Sequence, residues 1–228
     1  MVISGGKFMI LYDISMTIKP DMAVYKNKPE KKPHIEKMQD FNDGHTYESK
    51  ITLDLHTGTH IDMPLHMIPG GADSDSWPLT GIFSACTVLD FSDLAVEAID
   101  QEDLRLKEKL IDEEHRAIGL GKTILLKTRN SLQDGFDFDF VYLTARGADY
   151  LARRKLAGVG IDALGIERNQ PDHQTHKTLL GAKMWILEGL RLQEVPEGQY
   201  ILNVMPLKIS GVEALPARAV LLPKSILI

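Results

Sequence analysis

Three of the chain's eight histidines fall within eleven residues, in the run Asp54-Leu-His56-Thr-Gly-Thr-His60-Ile-Asp62-Met-Pro64-Leu-His66. Random placement would put only about 0.4 histidines in such a window. Neutral imidazoles with a carboxylate among them are the donor set for Zn2+, Mn2+ or Fe2+. His56, His60 and Asp62 are therefore candidate metal ligands, with His66 close behind.

Spacing constrains how they could meet. From Lys50 to Asp62 polar residues alternate with apolar or small ones, so one strand would put Asp54, His56, His60 and Asp62 on a single face. In that strand His56 and His60 would lie ~13 Å apart, too far for two imidazoles on one ion at ~2.1 Å. A helix would bring i and i+4 together, but Thr57-Gly58-Thr59 is poor helix sequence. The chain is therefore expected to bend at Gly58-Thr59, where glycine permits it, and to turn again at Pro64. A second pair lies downstream. His176 falls in a short helix-like window, and Glu188 ends the apolar run from Met184 to Leu187. A carboxylate at the tip of a buried strand needs a partner. A cation fits that need, as would a lysine or arginine. His173, one turn before His176, reads as an exposed helix residue, with a further ligand as the alternative.

The elements that must position these groups are short. Strand-length apolar blocks run Phe8–Ile14, Ile51–Leu55, Cys86–Phe91, Thr123–Lys127, Val159–Asp162, Met184–Glu188, Tyr200–Val204 and Ala219–Leu222. Helices are expected over Asp100–Ile118, with Asp100 as N-cap, over Thr144–Ala157, with Thr144 as N-cap and Gly158 as stop, and over Asp172–Leu180. Lys19–Tyr47, charged and containing three prolines, reads as a long loop of the functional kind. Trp77, Phe41 and Trp185 are candidate pocket aromatics, with Trp185 better placed in the core. Asp162 reads as structural, and Cys86 as inert core.

Composition narrows the field. With 228 residues, 43% hydrophobic and 25% charged, the chain has the mix of one globular domain able to bury a core. Its net charge of −6, with no lysine or arginine cluster, argues against a nucleic-acid backbone as partner. A lone cysteine excludes an intrachain disulfide and a thiolate zinc cluster. No apolar stretch approaches 18 residues, and the first residues lack the pattern of a secretory signal. The expectation is a cytoplasmic protein without a membrane partner.

The run from His56 to His66 resembles the HxGTHxDxPxH signature of the cyclase-like metal-dependent hydrolases, which include bacterial kynurenine formamidase and isatin hydrolase. Further matches are Tyr12-Asp-Ile-Ser15, Gly160-Ile-Asp162, His176 with Glu188-Gly-Leu190, Pro206-Leu-Lys-Ile209 and Pro216-Ala-Arg-Ala-Val220. The resemblance implies one α/β domain over 1–228, with a mixed, partly curled β-sheet of the swivelling β/β/α kind flanked by helices. It implies a homodimer or larger assembly, and one or two divalent ions, Zn2+ before Mn2+. In the two-ion form His56, His60 and Asp62 would hold the first, and Asp62, His176 and Glu188 the second. His66 would move protons, as its ordinary pKa near 6.5 suits. The implied reaction is hydrolysis of a small-molecule amide, first an aryl formamide as in tryptophan catabolism, with a cyclic amide or lactone as the enzymatic alternative. A non-catalytic metal protein would instead close its coordination shell with protein ligands. Two departures bear on substrate. The N-terminal loop reads Val24-Tyr-Lys-Asn-Lys-Pro29, and Gly165 stands where the family often has a small hydroxyl residue.

Overall fold

The computed structural model describes residues 2–4, 7–9, 11–93, 97–112 and 122–224. It opens with β1 (Val2–Ser4), β2 (Lys7–Met9) and β3 (Tyr12–Asp13), then β4 (His34–Gln39), β5 (Glu48–Thr52) and β6 (His60–Asp62). β7 (Phe83–Asp90) and β8 (Ala98–Ile99) lead to helices α1 (Gln101–Leu106) and α2 (Glu108–Asp112). There follow β9 (Lys122–Lys127), β10 (Tyr142–Leu143), α3 (Ala145–Ala152), β11 (Gly158–Ile161) and α4 (Gln174–Gly181). β12 (Trp185–Glu188), β13 (Gly198–Pro206) and β14 (Ala214–Pro223) complete the order.

Eight strands form one mixed sheet in the order β13-β7-β9-β11-β12-β6-β14-β3, and β13 also pairs with β14. That last pairing curls the sheet into a ring running from β13 through β14 and back. β7, β9, β11 and β12 are parallel neighbours joined through the helices, while β6, β13 and β14 run antiparallel to their partners. The fold is thus α/β with a mixed, partly curled sheet and helices outside.

Alternation along the strands sorts side chains into two cores. Leu125, Leu187, Ile61, Val88, Leu202 and Leu221 pack together inside the ring. Their neighbours Ile124, Leu126, Ile186 and Leu89 face outward, against Leu104, Leu151 and Leu179 of the helices. Strands covered on both faces read as continuous apolar runs, which is why most were visible in the sequence.

Several expectations change. The long loop over Lys19–Tyr47 contains β4, which pairs with β5 as an antiparallel hairpin. Every β5 residue is exposed, as are those of β4 except Gln39, so the ribbon has no buried face to give it an apolar period. β5 ends at Thr52, not Leu55, because Asp54 starts a turn in which its carbonyl accepts from Thr57 N at 3.0 Å. The first helix breaks at Lys107, and its expected stretch 113–118 lies outside the described residues. Asp100 does cap it, within a capping box that includes Asp103. The next helix is capped by Thr144 and ends at Ala152, before Lys155 turns left-handed at φ 52°. Gly158 is not its stop but the first residue of β11, where a Cβ would lie 2.3 Å from the Trp185 ring.

The expected bend at Gly58 is present, at φ +74°. Gly189 backs onto it at φ +67°, so close that a Cβ there would sit 2.3 Å from the Gly58 carbonyl oxygen. Thr59 ties the two together, its hydroxyl donating to Gly189 O at 2.6 Å and accepting from Met16 N at 2.8 Å. Gly189→Ala therefore combines a left-handed φ with a backbone clash, and should cost at least about 1–3 kcal/mol. Urea unfolding of the metal-free protein checks this, and a wild-type midpoint would contradict the close packing.

Candidate metal centre

Register brings the first side chains together. In the β6–β12 pair His60 lies opposite Glu188 and Asp62 opposite Ile186. Ile61 and Leu187 point into the ring core, so His60, Asp62 and Glu188 share the face beneath the helices. α4 lowers His176 onto that face. His56 arrives from the turn before the bend, its backbone N–H donating to the Asp54 carboxylate at 2.9 Å, and Lys31 holds Asp54 in turn at 3.1 Å.

Asp62 is the centre of the cluster and is fully buried. Its Oδ1 lies 3.1 Å from His56 Nδ1 and 3.4 Å from His60 Nε2. Its Oδ2 lies 3.6 Å from His176 Nε2. Glu188 approaches His176 Nε2 at 3.3 Å and His60 Nε2 at 3.5 Å. Yet both Asp62 oxygens and His60 Nε2 are buried with no aligned hydrogen-bond partner among the described residues. Burying a carboxylate and leaving its lone pairs unused is costly. Donor atoms on a tetrahedral ion with ~2.1 Å bonds lie ~3.4 Å apart. The observed spacings fit donors aimed at a common cation better than donors aimed at one another.

Charge points the same way. Burial opposes the charged His60 ring, but the nearby Asp62 and Glu188 carboxylates prevail and push its pKa up to about 9. Burial likewise opposes charge on His176, and Asp62, Glu167 and Glu188 raise it well above its ordinary value. Asp62 is disfavoured as an anion by burial, yet the three imidazoles hold its carboxyl well below the usual range. The carboxylates call for positive charge, which protons or a metal ion can supply in competition.

The surroundings fix each ring. His60 Nδ1 donates to Gly58 O at 2.9 Å, which leaves Nε2 to face the carboxylates. His56 Nε2 meets Glu213 Oε1 at 3.2 Å. Glu188 accepts from Ile166 N at 2.6 Å. Glu167, almost fully buried, lies 3.3 Å from His176 Nδ1 and accepts from Thr175 N at 3.0 Å at the start of α4. His66 stands on the 3-10 turn Pro64–His66, its ring 4.3 Å from that of His56 and 5.7 Å from that of His176. Burial, with His56 and His176 nearby, lowers its pKa despite Asp62.

The structure thus gathers His56, His60, Asp62, His66, His176 and Glu188 into one cluster. It leaves others out. His173 is largely exposed and pairs with Glu167. Asp162 accepts from Thr128 N and Oγ1 at 2.8 and 2.7 Å and from Ser131 Oγ at 2.7 Å, anchoring the turn over Arg129–Leu132. Phe41 is exposed at the hairpin, and Trp77 meets Trp185 edge-on on the ring-core side. The aromatic wall of the site is instead Tyr25, with Phe136 edge-on at 5.3 Å. Glu167 and Glu213 escaped the sequence reading, and Tyr25 was read only as part of the loop Val24-Tyr-Lys-Asn-Lys-Pro29 that bears on substrate.

A cavity of about 320 Å³ opens over the cluster, lined by His56, His66, His176 and Glu188 below and by Tyr25 and lysines above. It is of a size to take a small organic molecule. Comparison with known proteins agrees with this architecture. The Cyclase family model, described as "Putative cyclase", matches residues 12–168. Kynurenine formamidase of Erythrobacter litoralis is 30% identical over 214 residues, 92% of this chain and 93% of that one. A predicted metal-dependent hydrolase from Bacillus stearothermophilus is 43% identical, with a TM-score of 0.81 over 96% of this chain and all of that one. Isatin hydrolase A from Labrenzia aggregata is 25% identical, with a TM-score of 0.79 over 94% of each chain.

Two outcomes follow from the charges. His60 and His176 are stabilising when protonated, so the metal-free protein should lose stability as pH rises from ~6.5, the ordinary histidine value, through about 9. Divalent metal must displace those protons, so its affinity should rise over the same interval. Thermal melts with and without Zn2+ should diverge with pH, and parallel curves would contradict this. Glu167→Ala should weaken metal binding by roughly 10–100-fold, measured by isothermal titration.

Proposed function

The chain belongs to the Cyclase family, and on that premise we propose that it is a metal-dependent hydrolase cleaving the C–N bond of an aryl formamide such as N-formylkynurenine. The observation that carries the reading is the buried Asp62 carboxylate, whose oxygens face three imidazoles without aligned hydrogen bonds. His56, His60 and Asp62 would hold one divalent ion. Asp62, His176 and Glu188 would hold a second. The way Oδ1 and Oδ2 face separate imidazoles supports two ions. The imidazole-rich donor set favours Zn2+, with Mn2+ next.

A divalent ion, when bound, supplies Lewis acidity for a carbonyl and makes a water acidic near neutral pH. The chain's own residues do the rest. His66, held neutral at pH 7 by its lowered pKa, takes a proton from the attacking water on a ring nitrogen. It then gives that proton to the leaving amine nitrogen. Tyr25 narrows the cavity above the cluster and limits access of bulk water. Residues 1–228 would act as one catalytic domain in the cytoplasm. No described helix is long and apolar enough to cross a membrane. The β4–β5 hairpin exposes Ile35, Met38, Phe41, Tyr47 and Ile51. A two-stranded ribbon is barely stable alone, which supports a homodimer that covers it.

His66→Ala should retain its metal and lose roughly 10²–10⁴-fold in kcat on N-formylkynurenine. His60→Ala should lose both metal and activity. Metal analysis beside steady-state kinetics, with isatin assayed in parallel, reads all of this. Near-normal turnover by His66→Ala would refute its role, and preference for isatin would move the substrate to the cyclic amides.

A further inference from the structure

The floor of the cavity is acidic, but its mouth is not. Lys26, Lys28 and Lys31 all line it. Lys31 is engaged by Asp54 at 3.1 Å. Lys26 and Lys28 have no ion-pair partner among the described residues, and Lys26 Nζ lies 5.3 Å from the centre of the Tyr25 ring. The acids lining the cavity are Glu167 and Glu188, and both are engaged, by His173 and His176 and by Ile166 N and His176. An entering anion therefore meets two uncommitted ammonium groups, while neither carboxylate of the lining is free to meet a cation. On a chain of net charge −6 this is a local reversal of sign.

The same mouth concentrates backbone strain. Among the described residues seven that are not glycine have positive φ. Three of them line it, Lys26 on one rim and Asn169 and His173 on the other, and two more, Asn27 and Asp172, are their chain neighbours. Such conformations persist where packing over-determines them, as at ligand clamps. Buried Met22 and Val24 supply that packing for the lysine rim. Gly165 completes the wall: a Cβ there would press on Tyr25 Cε2 at 3.2 Å, so its absence gives the ring its place.

Resting on the hydrolase reading of this site, we propose that the mouth selects an aryl amide that bears a carboxylate or similar anion. Lys26 and Lys28 are the specificity-determining residues, and the Tyr25 face is the surface on which the aryl ring lies. Charge at the rim acts on encounter and binding, so it enters through KM.

The test uses three isosteric probes on the zinc-loaded protein: 3-formamidobenzoate, 3-formamidobenzamide and 3-formamidobenzylammonium. Wild type should favour them in that order in kcat/KM. In the double variant Lys26→Gln/Lys28→Gln the benzoate-to-benzamide ratio should fall at least tenfold, through KM. Ratios within twofold of wild type, or a wild-type preference for the cationic probe, would overturn the proposal. Isothermal titration with the same probes measures binding independently of turnover. If wild type hydrolyses none of them, the reaction reading fails by itself. The rim then stands on anion binding that the double variant loses, and falls if anion and neutral probe bind alike.

Discussion

A carboxylate with no access to water organises this protein. Asp62 lies on a central strand with neither oxygen solvated, ringed by three imidazoles that approach without making aligned hydrogen bonds to it. A group in that position is tolerable only beside positive charge. Protons on His60 and His176 can supply it, and on the proposed reading a divalent ion would supply it in their place, with the balance moved by pH.

The fold enforces this arrangement through register. Side chains on a strand alternate, so a one-residue slip of β6 against β12 would send Asp62 and His60 into the apolar ring core and bring Ile61 to the site. Closure of the sheet by β13 and β14 resists such a slip, because β6 is gripped by β12 on one side and β14 on the other. The middle of β14 is clasped in turn: Asp13 pairs with Arg218, and the Ser15 hydroxyl donates to Ala219 O at 3.1 Å. The two matched segments farthest apart in sequence, Tyr12-Asp-Ile-Ser15 and Pro216-Ala-Arg-Ala-Val220, thus form one structural clasp rather than chemistry.

Much of the centre was legible because chemistry-bearing residues sit close together in the chain. His56, Gly58, His60, Asp62, Pro64 and His66 announce ligands, bend and turn within eleven residues, and the failure of a straight strand to join His56 to His60 predicted the kink. Buried parallel strands were legible as apolar runs. What escaped reading was whatever depends on long-range contact. Glu167 gains its position only once α4 lies over it, and Glu213 only once β14 pairs with β6. Trp77 and Phe41 looked like pocket residues from their loops, but a side chain's destination there is set by packing that periodicity does not encode. β4 lacked a signal because neither face of its ribbon with β5 is buried within the chain. Gly165 and Tyr25, remote in sequence, make one wall because the space a Cβ would take is filled by the ring.

Beneath all of this lie the Asp62 charge and the question of what neutralises it. Asp62→Asn keeps the shape and removes the charge, so Zn2+ binding to this variant and to wild type at pH 7.5, followed by isothermal titration, tests the role of that charge most directly. The variant is expected to lose at least a hundredfold in affinity, while its metal-free form remains folded. Zn2+ binding of unaltered strength and stoichiometry would contradict a metal-centred role for Asp62.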